Sequence, residues 1–517
     1  MPKKETERSQ NEPEILVEYG LRRLLIVVGI MLAVLLEILD TTIVNVALPT
    51  IQGNLGGTLD ESAWIVTGYL IAVIIALPLV PWLESVFGRR RYVVISILGF
   101  TAASAACGTA QGIGEIVGFR VLQGLFGGGI LTIARSILRD TFPPEQIARS
   151  QGLLALGAVV GPSVGPTIGG VLTDEFSWRW IFFVNVMPGV FAAMLLLFVL
   201  KEPLRKPVAG DPWGIALMAI GLSSIQYVLQ NGERYDWFND THIVVITVAG
   251  VVFTAAFAWW DLHVAGNPIV DFRILRSRPV AMGVALSFAI GFTLFVGIVL
   301  GPQFSQSILG YTATLSGNQV LVRAVSIAAF IPVAVIAMTR LKVRPHLLLA
   351  AGFALVGWSG FLTSDVSTSS SAFWSFGWAL AIGGFGFGLL FVPLSIAVLS
   401  AVKSSESTRV SALLSLFQQL GASFSTALMV TIVDRRSAFH LDHLADGISL
   451  ERPAVAHFMH AHESVATLAA LVSREANALG FADANVAGGV LALAMIPVAL
   501  FYPSPASRDR SAARTET

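Results

Sequence analysis

The chain has 517 residues, of which 55% are hydrophobic and 13% charged, with a mean hydropathy of +0.74. Soluble domains carry about 25% charged residues, so this composition excludes a soluble globular protein and points to an all-α integral membrane protein. The 33 basic and 33 acidic residues cancel without a basic block suited to nucleic acid, and Cys107, the single cysteine, excludes an intrachain disulfide.

Residues 1–23 read as a polar N-terminal tail. The apolar run that follows is too long for a signal-peptide core and lacks a small-residue cleavage site, so it is expected to remain as the first span. Crossing a bilayer takes roughly 17–25 residues. The sequence offers fourteen candidate spans: Leu24–Leu48, Ser62–Leu83, Tyr92–Ala110, Ile113–Ile137, Ala148–Leu172, Trp180–Leu200, Trp213–Leu229, Ile243–Leu262, Val280–Phe304, Leu315–Met338, Leu347–Leu362, Phe373–Val402, Val410–Val433 and Ala484–Tyr502. Lys and Arg concentrate on cytoplasmic segments. With both termini cytoplasmic, 25 of the 33 fall on that side, six lie in outer loops, and Arg120 and Arg323 lie within spans.

Short basic turns, Gly88-Arg-Arg-Arg91 and Arg340-Leu-Lys-Val-Arg344, follow spans two and ten, which are equivalent positions if two six-helix halves flank an inserted pair. The expected layout is 6 + 2 + 6: a first bundle over 24–207, an insert over 208–266, a second bundle over 267–503, and a cytoplasmic tail over 504–517. Two halves around a central site is the common plan of secondary carriers. One outer loop, 434–483, is long. After Pro453 its apolar residues Val455, Phe458, Met459, Val465, Leu468, Leu471 and Val472 space as an amphipathic helix, suited to a cap, a lid or a docking surface. Five histidines gather there (His440, His443, His457, His460 and His462), without the spacing of a zinc-protease motif.

The chemistry concentrates in the first span. Asp40 and Glu37, three residues apart, are ionisable groups inside an apolar helix, where such groups are costly and mark function. Their closeness should resist double ionisation and favour proton uptake by one. At 1.5 Å per residue Asp40 lies about 14 Å inside the outer end of its span and Arg120 about 10 Å inside its own, depths that permit pairing; Glu37, at about 18 Å, is nearer the midplane. The second half carries Arg323 but no interior acid. No Gly-Lys pair exists, so there is no Walker A loop and ATP is not the expected energy source.

Several motifs then point to one family. Gly161-Pro-Ser-Val-Gly165-Pro166-Thr-Ile-Gly169-Gly170 resembles the antiporter signature of drug exporters in the major facilitator superfamily. Leu39-Asp-Thr-Thr-Ile-Val-Asn-Val-Ala-Leu-Pro49 resembles the family's first-span motif, and Arg120-Val-Leu-Gln-Gly124 its fourth-span motif. The span count and the long last outer loop are similar to the EmrB/QacA-type 14-span drug:proton antiporters. The motif between spans two and three departs from the family pattern: in Pro81-Trp-Leu-Glu-Ser-Val-Phe-Gly-Arg-Arg90, Ser85 replaces the usual acid, and Glu84, a rotation of about 100° away, is expected to point elsewhere.

The resemblance implies a major facilitator fold with 14 transmembrane helices and proton-coupled efflux of lipophilic or amphipathic toxic compounds by alternating access. It implies proton coupling through Asp40, Glu37 and Arg120, and conformational switching through Gly88, Arg89, Arg90, Gly161, Gly165, Pro166, Gly169 and Gly170. Glu37, Asn45, Gln123, Arg323 and Gln418 are the candidates for the cargo cavity. No metal, cofactor or enzymatic activity is expected. The expected setting is the cell inner membrane, with protons, cargo and lipid as partners and room for a periplasmic adaptor and an outer-membrane channel. A proton-coupled importer or a metabolite exporter on the same fold is the alternative.

Overall fold

The computed structural model describes residues 18–202, 207–403, 406–448, 452, 455, 457 and 465–503, with only the backbone at 59, 144, 158–160, 162–163, 166–167 and 313–314. All of the regular structure among them is helical: α1 (Gly20–Leu55), α2 (Leu59–Phe87), α3 (Arg89–Thr109), α4 (Ile113–Gly127), α5 (Ile130–Thr141), α6 (Ile147–Glu175), α7 (Trp180–Phe183), α8 (Val186–Val199), α9 (Pro212–Asn231), α10 (Thr241–His263), α11 (Arg278–Ser307), α12 (Ala313–Thr339), α13 (Pro345–Asp365), α14 (Phe373–Leu399), α15 (Ser407–Asp446) and α16 (Val465–Leu500), with short 3-10 turns between some of them. Thirteen segments are long and apolar enough to cross a membrane, counting α4–α5 and α7–α8 as one each. The 29-residue α6 makes the fourteenth helical segment of spanning length. This is a multi-pass membrane protein.

Local chemistry sets the ends. Thr58 caps α2, accepting from the Glu61 amide at 3.2 Å while Glu61 accepts from the Thr58 amide at 2.9 Å, a capping box that fills two orphan amides. Asp211 and Pro212 start α9 in the same economical way, with the Asp211 carboxylate on the Gly214 amide at 3.0 Å. Between α2 and α3 a single residue makes the turn: Gly88, at φ 83 and ψ 154, a region open essentially to glycine alone.

Two spans differ from the continuous runs expected. The fourth breaks at Gly128–Gly129 into α4 and α5, and the sixth breaks at Val184–Asn185 into α7 and α8. The first break follows from a glycine triplet, Gly127-Gly-Gly129, whose helix propensity is low. At the distal end, α1, at 36 residues or about 54 Å, outruns a hydrocarbon core of about 30 Å. The 40-residue α15 extends even further.

Helices α1–α8 pack among themselves, as do α11–α16, giving two bundles. The first is centred on Ile30, Val34, Phe100, Ile137 and Leu196, the second on Leu286, Ile327, Phe353, Phe387 and Val398. α6 packs on α12 and α14, and α15 on α2 and α5. The hairpin α9–α10 lies outside both, with α9 touching α2 and α15. Its turn ties one helix of each bundle: Arg234 pairs with Asp60, while Glu233 accepts from Thr431 at 2.5 Å.

The direct hydrogen bonds between the bundles start from α5. Arg135 donates to Ser415 Oγ at 2.9 Å and to Gln418 Oε1 at 3.3 Å. The Ser136 hydroxyl meets Thr408 at 2.9 Å and Ser407 at 3.3 Å, and Arg139 donates to the Val402 carbonyl at 3.3 Å. The molecule is thus closed at the end that carries Arg89 and Arg139, called the basic end below.

The stretch after Pro453 expected as an amphipathic helix lies mostly outside the described residues, including Phe458, Met459, His460 and His462; α16 begins at Val465.

Candidate functional site

Asp40 is wholly buried in α1, and both of its oxygens are occupied. Oδ2 forms an ion pair with Arg120 of α4. Oδ1 accepts from Gln123 Nε2 at 2.8 Å and from Asn185 Nδ2 at 3.3 Å. Asn185 sits at the α7–α8 break and also donates to Ser104 Oγ of α3 at 3.0 Å, so five helical segments converge on one carboxylate. Arg120 is fixed by further bonds: Nε donates to the Ile65 carbonyl at 3.1 Å, Nη1 donates to Gln123 Oε1 at 2.7 Å, and the guanidinium lies over the Tyr69 ring at 4.0 Å. A buried carboxylate with a cation and two amide donors is satisfied in its charged form.

Glycines on α6 position this stretch of α1. A Cβ added at Gly161 would lie 2.9 Å from Ile38 Cγ2, and one at Gly169 would lie 2.8 Å from Ile43 Cγ1. One at Gly165 would strike the Thr42 hydroxyl. These three are spaced four apart, so one face of α6 clasps residues 38–43 on either side of Asp40. Gly170 meets nothing within 4 Å, and only the backbone of Pro166 is described.

Glu37 has a different environment. Its Oε2 accepts from the Leu131 amide at 2.9 Å, at the start of α5 where the Gly128–Gly129 break leaves amides free. The two carboxylates therefore do not share partners: Asp40 belongs to α4 and α7–α8, Glu37 to α5.

Three further expectations need correction. Gln123, a candidate for the cargo cavity, is fully buried and spends its amide on Asp40 and Arg120. Glu84, expected to be aimed elsewhere than the missing acid, accepts from Arg89 Nε at 2.6 Å. The Gly88 turn folds Arg89 back over the last turn of α2, and Arg89 also holds Asp140 at 2.5 Å and Ser136 at 3.2 Å. Ser85 is confined to its own helix, donating to the Trp82 carbonyl at 2.7 Å. Finally Arg135, grouped by its position with cytoplasmic basic residues, is buried and reaches across to the second bundle. Its signal in the sequence was the glycine triplet about two turns earlier, which starts a separate amphipathic helix.

Among the remaining candidates, Asn45 is exposed and donates to the Thr41 carbonyl at 3.4 Å. Gln418 accepts from Arg135 at the bundle interface. Arg90 approaches Glu202 at 3.8 Å. Arg323 is buried and has no hydrogen-bond partner among the described residues. In the outer segment His440 Nε2 and Arg436 Nε meet Asp483 at 2.8 and 2.5 Å, and His443 stacks on Phe439 at 4.3 Å.

The Major Facilitator Superfamily model matches residues 30–426. The Multidrug export protein EmrB of Escherichia coli K12 is 31% identical over 437 residues, covering 84% of this chain and 85% of its own. The Fatty acid resistance protein FarB of Neisseria gonorrhoeae is 28% identical over 494 residues, covering 92% and 95%. The fold is shared with the proton:xylose symporter XylE, at a TM-score of 0.58 and 15% identity over 93% of this chain and 96% of that one. The human organic anion transporter MFSD10 gives a TM-score of 0.59 at 12% identity, over 92% and 100%. By model match, identity and fold, the chain belongs to the major facilitator superfamily and, within it, to the EmrB-type exporters.

Proposed function

We propose that this protein exports lipophilic or amphipathic toxic compounds across the inner membrane in exchange for protons. The observation that carries the reading is the buried ion pair between Asp40 and Arg120, with Gln123 and Asn185 filling the other carboxylate oxygen. With Asp40 charged, both of its oxygens and the Arg120 guanidinium are paired. A proton on Asp40 cancels the carboxylate and leaves Arg120 buried with no counter-charge, a penalty of several kcal/mol. The α1–α4 contact then loosens, and the energy of proton binding becomes available to change the packing of the bundles. Because Gly161, Gly165 and Gly169 couple α1 to α6, and α6 packs on α12 and α14, the change reaches the second bundle without a further relay.

In this reading 24–207 and 267–503 are the rocking bodies, 208–266 is an insert, and both termini are cytoplasmic. The basic end then faces the cytoplasm and is sealed by Glu84, Arg89, Asp140 and the α5–α15 bonds, leaving the cargo path open outward. Glu37, Asn45, Arg323 and Gln418 border that path. A periplasmic adaptor with an outer-membrane channel would extend it beyond the membrane.

Proteoliposomes with an imposed pH gradient test the reading. Flux of a drug panel should follow the gradient in the wild type and lose that dependence in Asp40→Asn, which keeps the hydrogen-bonding shape and removes the charge. Gradient-driven flux in a folded Asp40→Asn protein at the wild-type rate would refute the assignment.

A further inference from the structure

The second bundle holds a buried cation with no counter-charge among the described residues. Arg323 of α12 is 7% exposed, and its Nε and Nη1 are enclosed without a partner. No Asp or Glu occurs between Asp271 and Asp365 or between Asp365 and Glu406. The guanidinium rests over the ring of Phe387 of α14 at 4.8 Å and presses on α11 at Gly297, where any side chain would collide with it. On the same face of α12, one and two turns earlier, Gln319 and Ser316 are each 1% exposed. Gln319 Nε2 and Ser316 Oγ also lack partners, while Gln319 Oε1 accepts from Ser305. Unfilled donors thus follow one helix face for about 10 Å.

Burying a guanidinium without a counter-ion is strongly unfavourable, and a cation–π contact offsets only part of that cost. Three adjacent residues with vacant donors and no acceptor to fill them describe half of a binding site. We propose that Arg323, Gln319 and Ser316 bind the carboxylate of an amphipathic organic acid, with the planar fork of Arg323 taking the two oxygens. The surroundings are otherwise apolar, with Phe387 and Ile327 alongside, so the hydrocarbon body of such an acid offsets the loss of its water better than a bare inorganic anion can. The proposal rests on the efflux reading in taking this acid as cargo; the binding site itself does not.

The test uses the full-length protein in detergent, in chloride-free buffer, with decanoate, decanol and decyltrimethylammonium as probes. Binding is read by calorimetry and by the shift in melting temperature. Decanoate is expected to bind and raise the melting temperature, and the alcohol and the cation are not. Arg323→Gln should abolish the decanoate effect and, unliganded, melt at or above the wild type, because an uncompensated charge has gone. Arg323→Lys keeps the charge but loses the fork, so decanoate should bind about tenfold more weakly, still ahead of decanol; this variant keeps the test decisive should the glutamine protein fail to fold. Equal stabilisation of wild type and Arg323→Gln by decanoate overturns the proposal, as does equal binding of acid and alcohol to Arg323→Lys. Stabilisation by chloride alone, without competition from decanoate, overturns the organic-acid assignment in favour of an inorganic ion. Gradient-driven transport of the drug panel by the wild type is scored separately: its absence for every compound removes the efflux reading and leaves the anion site standing, while failure of decanoate to bind does the reverse.

Discussion

Glu37 accepts a hydrogen bond from the Leu131 amide at 2.9 Å, joining α1 to the first turn of the helix whose next turn carries Arg135. That single bond links the acidic stretch of α1 to the seal at the basic end, since Arg135, Ser136 and Arg139 all reach the second bundle from α5. Glu37→Gln keeps an acceptor for the amide and should melt close to the wild type. Glu37→Ala strands the amide in an apolar interior and should lose about 1–3 kcal/mol. Thermal or denaturant unfolding in detergent separates the two, and equal stability of both variants would remove this bond from the account.

Breaking one side of the buried Asp40–Arg120 pair costs about 3–5 kcal/mol, whereas removing both partners costs far less. Arg120→Gln should therefore be markedly destabilised, and Asp40→Asn/Arg120→Gln should recover much of the loss while remaining inactive in gradient-driven flux. A double-mutant cycle on unfolding free energies measures the coupling. Additive effects would mean the two side chains do not act as a unit.

Two glycines of the same motif should respond oppositely. Gly165→Val drives a branched side chain into Thr42 of α1, an overpacking expected to cost about 1–3 kcal/mol and to displace the helix that bears Asp40. Gly170→Ala enters open space and should leave both stability and flux unaltered. Parallel melting curves and transport rates decide the point.

At the basic end Glu84→Gln should weaken the hold on Arg89 and shift the population toward separation there, while Ser85→Ala, which loses only a bond within its own helix, should not. Spin-label distances between the ends of α2 and α15 report the shift. No change in the Glu84→Gln distance distribution would show that Asp140 and Ser136 suffice to secure Arg89.

The helical class, the span count and the positions of Asp40 and Arg120 could be read from the sequence because each is a statement about where charge interrupts hydrocarbon. The glycine motif at 161–170 stood out in the sequence, but that α1 is the helix it receives came from the structure. Arg135 was hidden because it sits near the end of an apolar run, where a membrane-interface cation and a buried one look alike; only the break at Gly128–Gly129 sets it on a helix of its own. The partner of Glu37 is a backbone amide freed by that break, and no side-chain pattern announces it. Glu84 misled for a related reason: angular spacing along α2 was sound, but Gly88 reverses the chain and brings Arg89 back to meet it. Gln123 read as a polar lining residue because a sequence does not reveal that its amide is spent on Asp40 and Arg120.

In the α9–α10 hairpin α9 touches α2 and α15, and the turn ties Asp60 and Thr431. A body anchored to both movers acts as a fulcrum. In the proposed rocking cycle the bundles would pivot about that contact line, and the contact of α6 with α12 and α14, which the insert does not touch, would be the one to open.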